Sequence, residues 1–109
     1  MSETVFSIAR DFSPNPGPRF IRQGAHSGEA LRRQLVKKLR SIGGKLRIDL
    51  DGTKGMGSSF LDEAFGGLVR SDGMDSAQLL QRLDLRSNAE PSYIAEIRDS
   101  IRRAVPAHA

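Results

Sequence analysis

The sequence predicts a small α/β protein: one mixed β-sheet, made of an antiparallel N-terminal hairpin plus parallel strands, with helices packed mainly on one face. Two observations lead there. Apolar spacing switches repeatedly between the period of two of a strand and the three-and-four spacing of a helix, giving the order β-β-α-β-α-(α)-β-α with short connections. In the clearest strand Leu46, Ile48 and Leu50 alternate with polar residues, whereas a strand covered on both faces would be more evenly apolar. At 109 residues the chain is expected to form one domain, 1–109, with the hairpin over about 3–23 and the core over about 27–105.

Thr4 to Arg10 mixes β-branched and aromatic residues with polar ones and reads as the first strand. Asp11 to Pro18 gathers three of the five prolines with Asn15 and Gly17, which marks a turn or exposed loop. Arg19 to Gln23, around Phe20 and Ile21, is expected to return antiparallel to the first strand. Leu31, Leu35, Leu39 and Ile42 then make one stripe of a helix that Ser27 caps and Gly43-Gly44 stops. Lys45 to Gly52 is the alternating strand, and a glycine-rich loop runs from Gly52 to Gly57. Ser58 to Arg70 is the second helix, with Phe60, Leu61, Ala64, Phe65 and Leu68 inward. Ser59, three residues before Asp62, looks like a capping box, and Asp62 with Glu63 suits a first turn. Ser76 to Gln81 suggests one or two helical turns, Leu83 to Arg86 a short strand, and Pro91 to Val105 a last helix with Ile94, Ile97 and Ile101 inward.

Composition narrows the function classes. The absence of cysteine removes disulfides, thiolate nucleophiles and sulfur-ligated metals, and makes a cytoplasmic protein the expectation. No apolar run approaches the length of a membrane span, and no secretory signal is evident at the N-terminus. The formal charge of +4 is unevenly spread: residues 1–50 hold ten basic against four acidic residues, and residues 51–109 seven against nine. Much of the basic excess lies in the first helix, at Arg32, Arg33, Lys37, Lys38 and Arg40. Arg32, Arg33, Lys37 and Arg40 fall opposite its apolar stripe, where they form either the solvated face of an amphipathic helix or a nucleic-acid-binding patch. The first is favoured, because no aromatic residue is interleaved there to stack on bases.

The richest stretch runs from Ile48 to Phe65: a strand with an acidic end, a glycine loop, a serine pair and a helix. Its residues Asp49, Leu50, Gly52, Ser59, Phe60, Asp62, Glu63 and Phe65 resemble the motif of the STAS-like family of bacterial proteins, relatives of sulfate-transporter and anti-sigma-factor-antagonist domains. Leu50 replaces the usual Phe. The motif spans about a sixth of the chain, and the order of elements agrees over nearly all of it. The resemblance implies a STAS-like fold and a regulatory binding module, not an enzyme. In the antagonist branch a serine at the start of this helix is phosphorylated by a partner kinase of the histidine-kinase-type ATPase fold, and Ser58 falls at that position. Gly57 stands where that branch has Asp before the first serine, and Phe60 where it has Gly after the second.

The resemblance thus implies Ser58 and Ser59 as candidate phosphoacceptors, a protein-binding surface of Gly55, Met56, Gly57, Ser58, Ser59, Asp62 and Glu63, and no cofactor. The residues themselves allow a plainer reading, in which Ser59 only caps the helix and Ser58 only fills the turn. A nucleoside-triphosphate loop is not expected, since no Gly-Lys-Ser/Thr ends the glycine stretch. Asp49, Asp51, Asp62 and Glu63 suggest a divalent-metal or acid/base cluster only weakly, because strand alternation and helix starts account for them. His26 and His108 lack convincing catalytic partners, and no nucleophile elbow is present.

Overall fold

The computed structural model describes residues 4–107, so His108 and the first residue of the expected hairpin, Glu3, lie outside the described residues. Three four-residue strands form the sheet: β1 (Thr4–Ser7), β2 (Leu46–Asp49) and β3 (Leu83–Arg86), in the spatial order β1-β2-β3. All pairings are parallel, aligning Phe6 with Ile48 and Ile48 with Leu85. Helix α1 (Gly28–Ser41) connects β1 to β2. A continuous helix, α2, over 58–70 and the shorter α3 (Ser76–Arg82) connect β2 to β3, and α4 (Ser92–Arg103) follows.

The parallel sheet corrects the expected antiparallel hairpin. β1 ends where the Ser7 N–H donates to Asp11 Oδ2 at 2.7 Å and Ser7 Oγ accepts the Arg10 N–H at 3.2 Å, closing a π-helical turn over Ile8–Phe12. Of the expected second strand only a single 3₁₀ turn, Ile21–Gln23, is regular. The backbone here is used differently. Gly28 and Glu29 donate their N–H groups to the carbonyls of Pro18 and Arg19, both at 2.9 Å, so the proline segment covers donors that the first turn of α1 leaves unpaired.

For α1, β2 and the inward faces of the later helices the sequence pattern and the structure agree. Ser27 caps α1 by accepting the Ala30 N–H at 3.0 Å, and Leu31, Leu35 and Leu39 are buried. The alternation in β2 places Leu46 and Ile48 in the core with Phe6, Leu83 and Leu85, while Val5, Arg47, Asp49, Asp84 and Arg86 occupy the other sheet face. Phe60, Leu61, Ala64, Phe65 and Leu68 are wholly buried, as are Ile97 and, very nearly, Ile101, whereas Ile94 is half-buried. Helices therefore cover one face of the sheet. One fastening has no local signal: Arg82 reaches from the end of α3 to the carbonyls of Leu39, Ile42 and Gly44 at 2.8 to 3.0 Å, satisfying acceptors at the C-terminal end of α1.

Two features of α2 bear on the site. The helix is α-helical over Ser58–Leu61 and Gly67–Arg70, but Asp62–Gly66 forms a π-helical turn in which the Gly67 N–H reaches the Asp62 carbonyl. Its start is crossed closely by α1, since a Cβ on Gly28 would lie 2.5 Å from the Phe60 carbonyl oxygen. Substituting Gly28→Ala is expected to force the two helices apart and lower stability by about 1–3 kcal/mol, read as the shift in urea midpoint. An unchanged midpoint would mean that the helices do not pack this closely.

Candidate functional site

Phe60 and Leu61 anchor the start of α2 in the core and leave the adjoining Ser58 and Ser59 exposed. Gly57, not Ser59, precedes the helix in extended conformation, and its carbonyl accepts the Leu61 N–H at 3.1 Å. The expected capping box is therefore absent. Both serines lie within the first turn, and neither side chain caps the helix.

Asp62 and Glu63 follow one turn later and are held by arginines from three parts of the chain. Arg19, placed by the proline segment, approaches Asp62 at 3.0 Å and Glu63 at 3.4 Å. Arg32 of α1 pairs with Glu63 at 3.2 Å and Asp72 at 2.9 Å. Arg70, at the far end of α2, reaches Asp62 at 3.1 Å and Glu63 at 3.8 Å. Glu63 is buried, with a side chain only 8% exposed, so these partners compensate the desolvation of its charge. Burial works to raise the Asp62 pKa, but hydrogen bonds from Arg19 and Arg70 outweigh it and hold the group below its ordinary value. Burial likewise opposes the Arg32 cation, and its bonds to Asp72 and Glu63 hold its pKa above the ordinary value.

The loop before α2 is fastened at both ends. Gly52 takes a positive φ of 95°, which suits the turn out of β2 to a residue without a Cβ. Asp51 accepts from Ser87 Oγ and from the N–H groups of Asn88 and Ala89 at 2.8 to 3.0 Å, and the two backbone donors chiefly hold its pKa down. Lys54 donates its N–H to the Pro14 carbonyl, and Met56, itself buried, donates its N–H to the Tyr93 hydroxyl at 3.1 Å. Asp49, in turn, accepts the Asp51 N–H at 2.9 Å. The four carboxylates weighed as a cluster thus divide into two groups with separate structural partners.

Of the expected protein-binding residues, Gly55, Gly57, Ser58 and Ser59 are exposed and Asp62 is half-buried, while Met56 and Glu63 point inward. The serines open onto a cleft of about 690 Å³ whose walls include Arg19, Asp62, Arg70, Glu96 and Arg103. On the basic face of α1, Arg33, Lys37 and Arg40 are exposed and Arg32 is half-buried. Arg32 is drawn into the ion-pair hub, and Arg33 pairs with Glu29 at 3.1 Å. His26 is exposed and sets its ring edge against Phe12, with centroids 5.9 Å apart.

The geometry of strand, loop and serine-led helix coincides with a match between residues 27–93 and the family model described as a STAS-like domain of unknown function (DUF4325). The chain belongs to this STAS-like family. No curated protein and no solved structure matches it. Within the STAS-like domain, the motif residues take structural parts first: Phe60 and Phe65 fill the core, Asp62 and Glu63 gather the arginines, and Gly52 makes the turn. Arg19, Arg70 and Arg103 line the cleft and Tyr93 braces the turn, although the sequence reading did not place them there; Arg103 was expected as an i,i+4 partner of Asp99. For Arg70 a signal existed, since it follows Asp62 by two helical turns; a partner in the proline loop had none.

Among the described residues, no helix is long and apolar enough to cross a membrane. Glu63→Gln is expected to destabilise the STAS-like domain by about 3 kcal/mol in urea unfolding, because it weakens a buried acceptor of several cations; a loss below 0.5 kcal/mol, roughly that of an ordinary surface change, would refute the hub. The carboxyls of Asp51, Asp62 and Asp84, all held below their ordinary values, contribute stability above the unfolded carboxylate range that is lost as pH falls through their folded values. The urea midpoint should therefore be flat near neutrality and decline below about pH 4. Asp62→Asn should make that decline shallower, and an identical acid profile would contradict the assignment.

Proposed function

We propose that this STAS-like domain is a non-enzymatic regulatory module that binds another protein through the 55–60 turn and the exposed side of α2, and that Ser58 and Ser59 are its phosphoacceptors. One observation carries the reading: two exposed serines adjoin two wholly buried residues, Phe60 and Leu61, at the start of a helix fixed in the core. A phosphate of about −1.5 to −2 charge added there changes the surface while the apolar core stays in place. The fastened loop supports the same reading, because Asp51, Lys54 and Met56 present the turn with little ordering left to be done on binding. The partner proposed from the family resemblance is an ATPase of the histidine-kinase-type fold, acting in the cytoplasm.

Mixing the purified protein with such an ATPase and magnesium ATP tests this, with co-elution and intact mass as readouts. Co-elution of the unmodified form, and phosphate incorporation that falls in Ser58→Ala and is lost in the Ser58→Ala, Ser59→Ala double variant, are expected. Phosphate incorporation that survives in the Ser58→Ala, Ser59→Ala double variant would overturn the acceptor assignment, and failure to co-elute would overturn the partner.

A further inference from the structure

Resting on Ser58 as the acceptor, we propose that its phosphorylation is read inside the domain: Arg19 and Arg70 transfer hydrogen bonds from Asp62 to the phosphoryl group, and Arg103 joins them from α4. Ser58, Asp62 and all three arginines line the same cleft. The Asp62 N–H bonds to the Ser58 carbonyl, so the spacing between them is that of an α-helix, and residues four apart are neighbours on its surface. A dianion on Ser58 would therefore stand beside the Asp62 carboxylate and be repelled by it, unless the cations already on that carboxylate bridged the two.

Their exposure suits that exchange. The side chains of Arg19, Arg70 and Asp62 are 30%, 32% and 28% exposed, so they can re-pair at the surface without opening the core. Arg32, at 12%, is bonded to both Glu63 and Asp72 and keeps the buried carboxylate neutralised meanwhile. Arg103 is exposed, and its Nε donates to the Asp99 carbonyl at 3.2 Å, a bond readily replaced. A phosphoryl dianion offers more oxygens and more charge than Asp62 does, and guanidinium groups pair with it in a bidentate manner.

The covalent step is phosphoryl transfer from ATP held by the partner. Ser58 Oγ attacks the γ-phosphorus, the Oγ–P bond forms, the bond from that phosphorus to the oxygen bridging to ADP breaks, and the hydroxyl proton passes to a base of the kinase. Modification then loosens Asp62, so the outer arginines, and not the serine alone, change what a partner meets.

Phosphoserine installed at position 58 during translation tests the exchange without any kinase. In a phosphorus NMR titration its second ionisation should fall about one unit below the ordinary value near 6, and Arg103→Gln or Arg19→Gln should move it back. Arginine Nε resonances of Arg19 and Arg70 should shift on modification while that of Arg32 holds still. A phosphate titrating as in a free peptide, or one indifferent to both substitutions, would overturn the proposal. Should Arg19→Gln not fold, Arg103→Gln, exposed and outside the hub, decides the matter alone. Failure of the ATPase assay bears on the partner and the acceptor only, whereas failure of this titration bears on the exchange only.

Discussion

The buried charge of Glu63 organises the helical side of this molecule. A carboxylate taken out of water costs several kcal/mol unless cations and donors surround it, so the chain must deliver arginines to one point beneath α2. Arg32 brings α1, Arg19 brings the proline segment, and Arg70 ties the end of α2 back to its middle. Asp72, just past α2, completes the shell through Arg32. Apolar contacts account for the burial, but they are tolerant of rotation and sliding. A carboxylate with fixed donors is not, and it specifies how α1 crosses α2.

What sequence could reveal divides along the same line. Local patterns were sufficient for α1, with its Ser27 cap and leucine stripe, for β2 with its alternation, and for the inward residues of α2. They failed where the deciding partner is distant. Arg32 lies by spacing on the polar face of its helix, yet it bonds Glu63 and Asp72, which are 31 and 40 residues away. Hydropathy alone cannot tell that cation from the exposed Lys37. Phe20 and Ile21 likewise look strand-forming, but the backbone beside them is committed to the start of α1. The serine-led turn was legible as a candidate site; the arginine walls of its cleft were not, because Arg19 and Arg103 come from segments with no periodic link to it.

The site couples exposed chemistry to a rigid support. Asp51 joins the ends of β2 and β3 through the loop at 87–89, and Tyr93 anchors the backbone at Met56 from the first turn of α4. The serines therefore stand on backbone held from three directions, while their side chains face the cleft. The platform is thus fixed by backbone hydrogen bonds, and partly exposed ion pairs of Arg19 and Arg70 with Asp62 stand around it.

The π-helical turn at Asp62–Gly66 carries one further consequence. A π turn accommodates one residue more than an α-helical turn, and each residue of an α-helix advances it by about 100°. The wide turn absorbs that extra residue, so the serine-bearing end keeps its phase relative to Gly67–Arg70, and Arg70 and the Ser58 side share a face. Deleting one residue within 62–66 would restore a regular helix and keep that alignment, whereas the same deletion between the turn and Arg70 would rotate Arg70 by about 100° away from the serines.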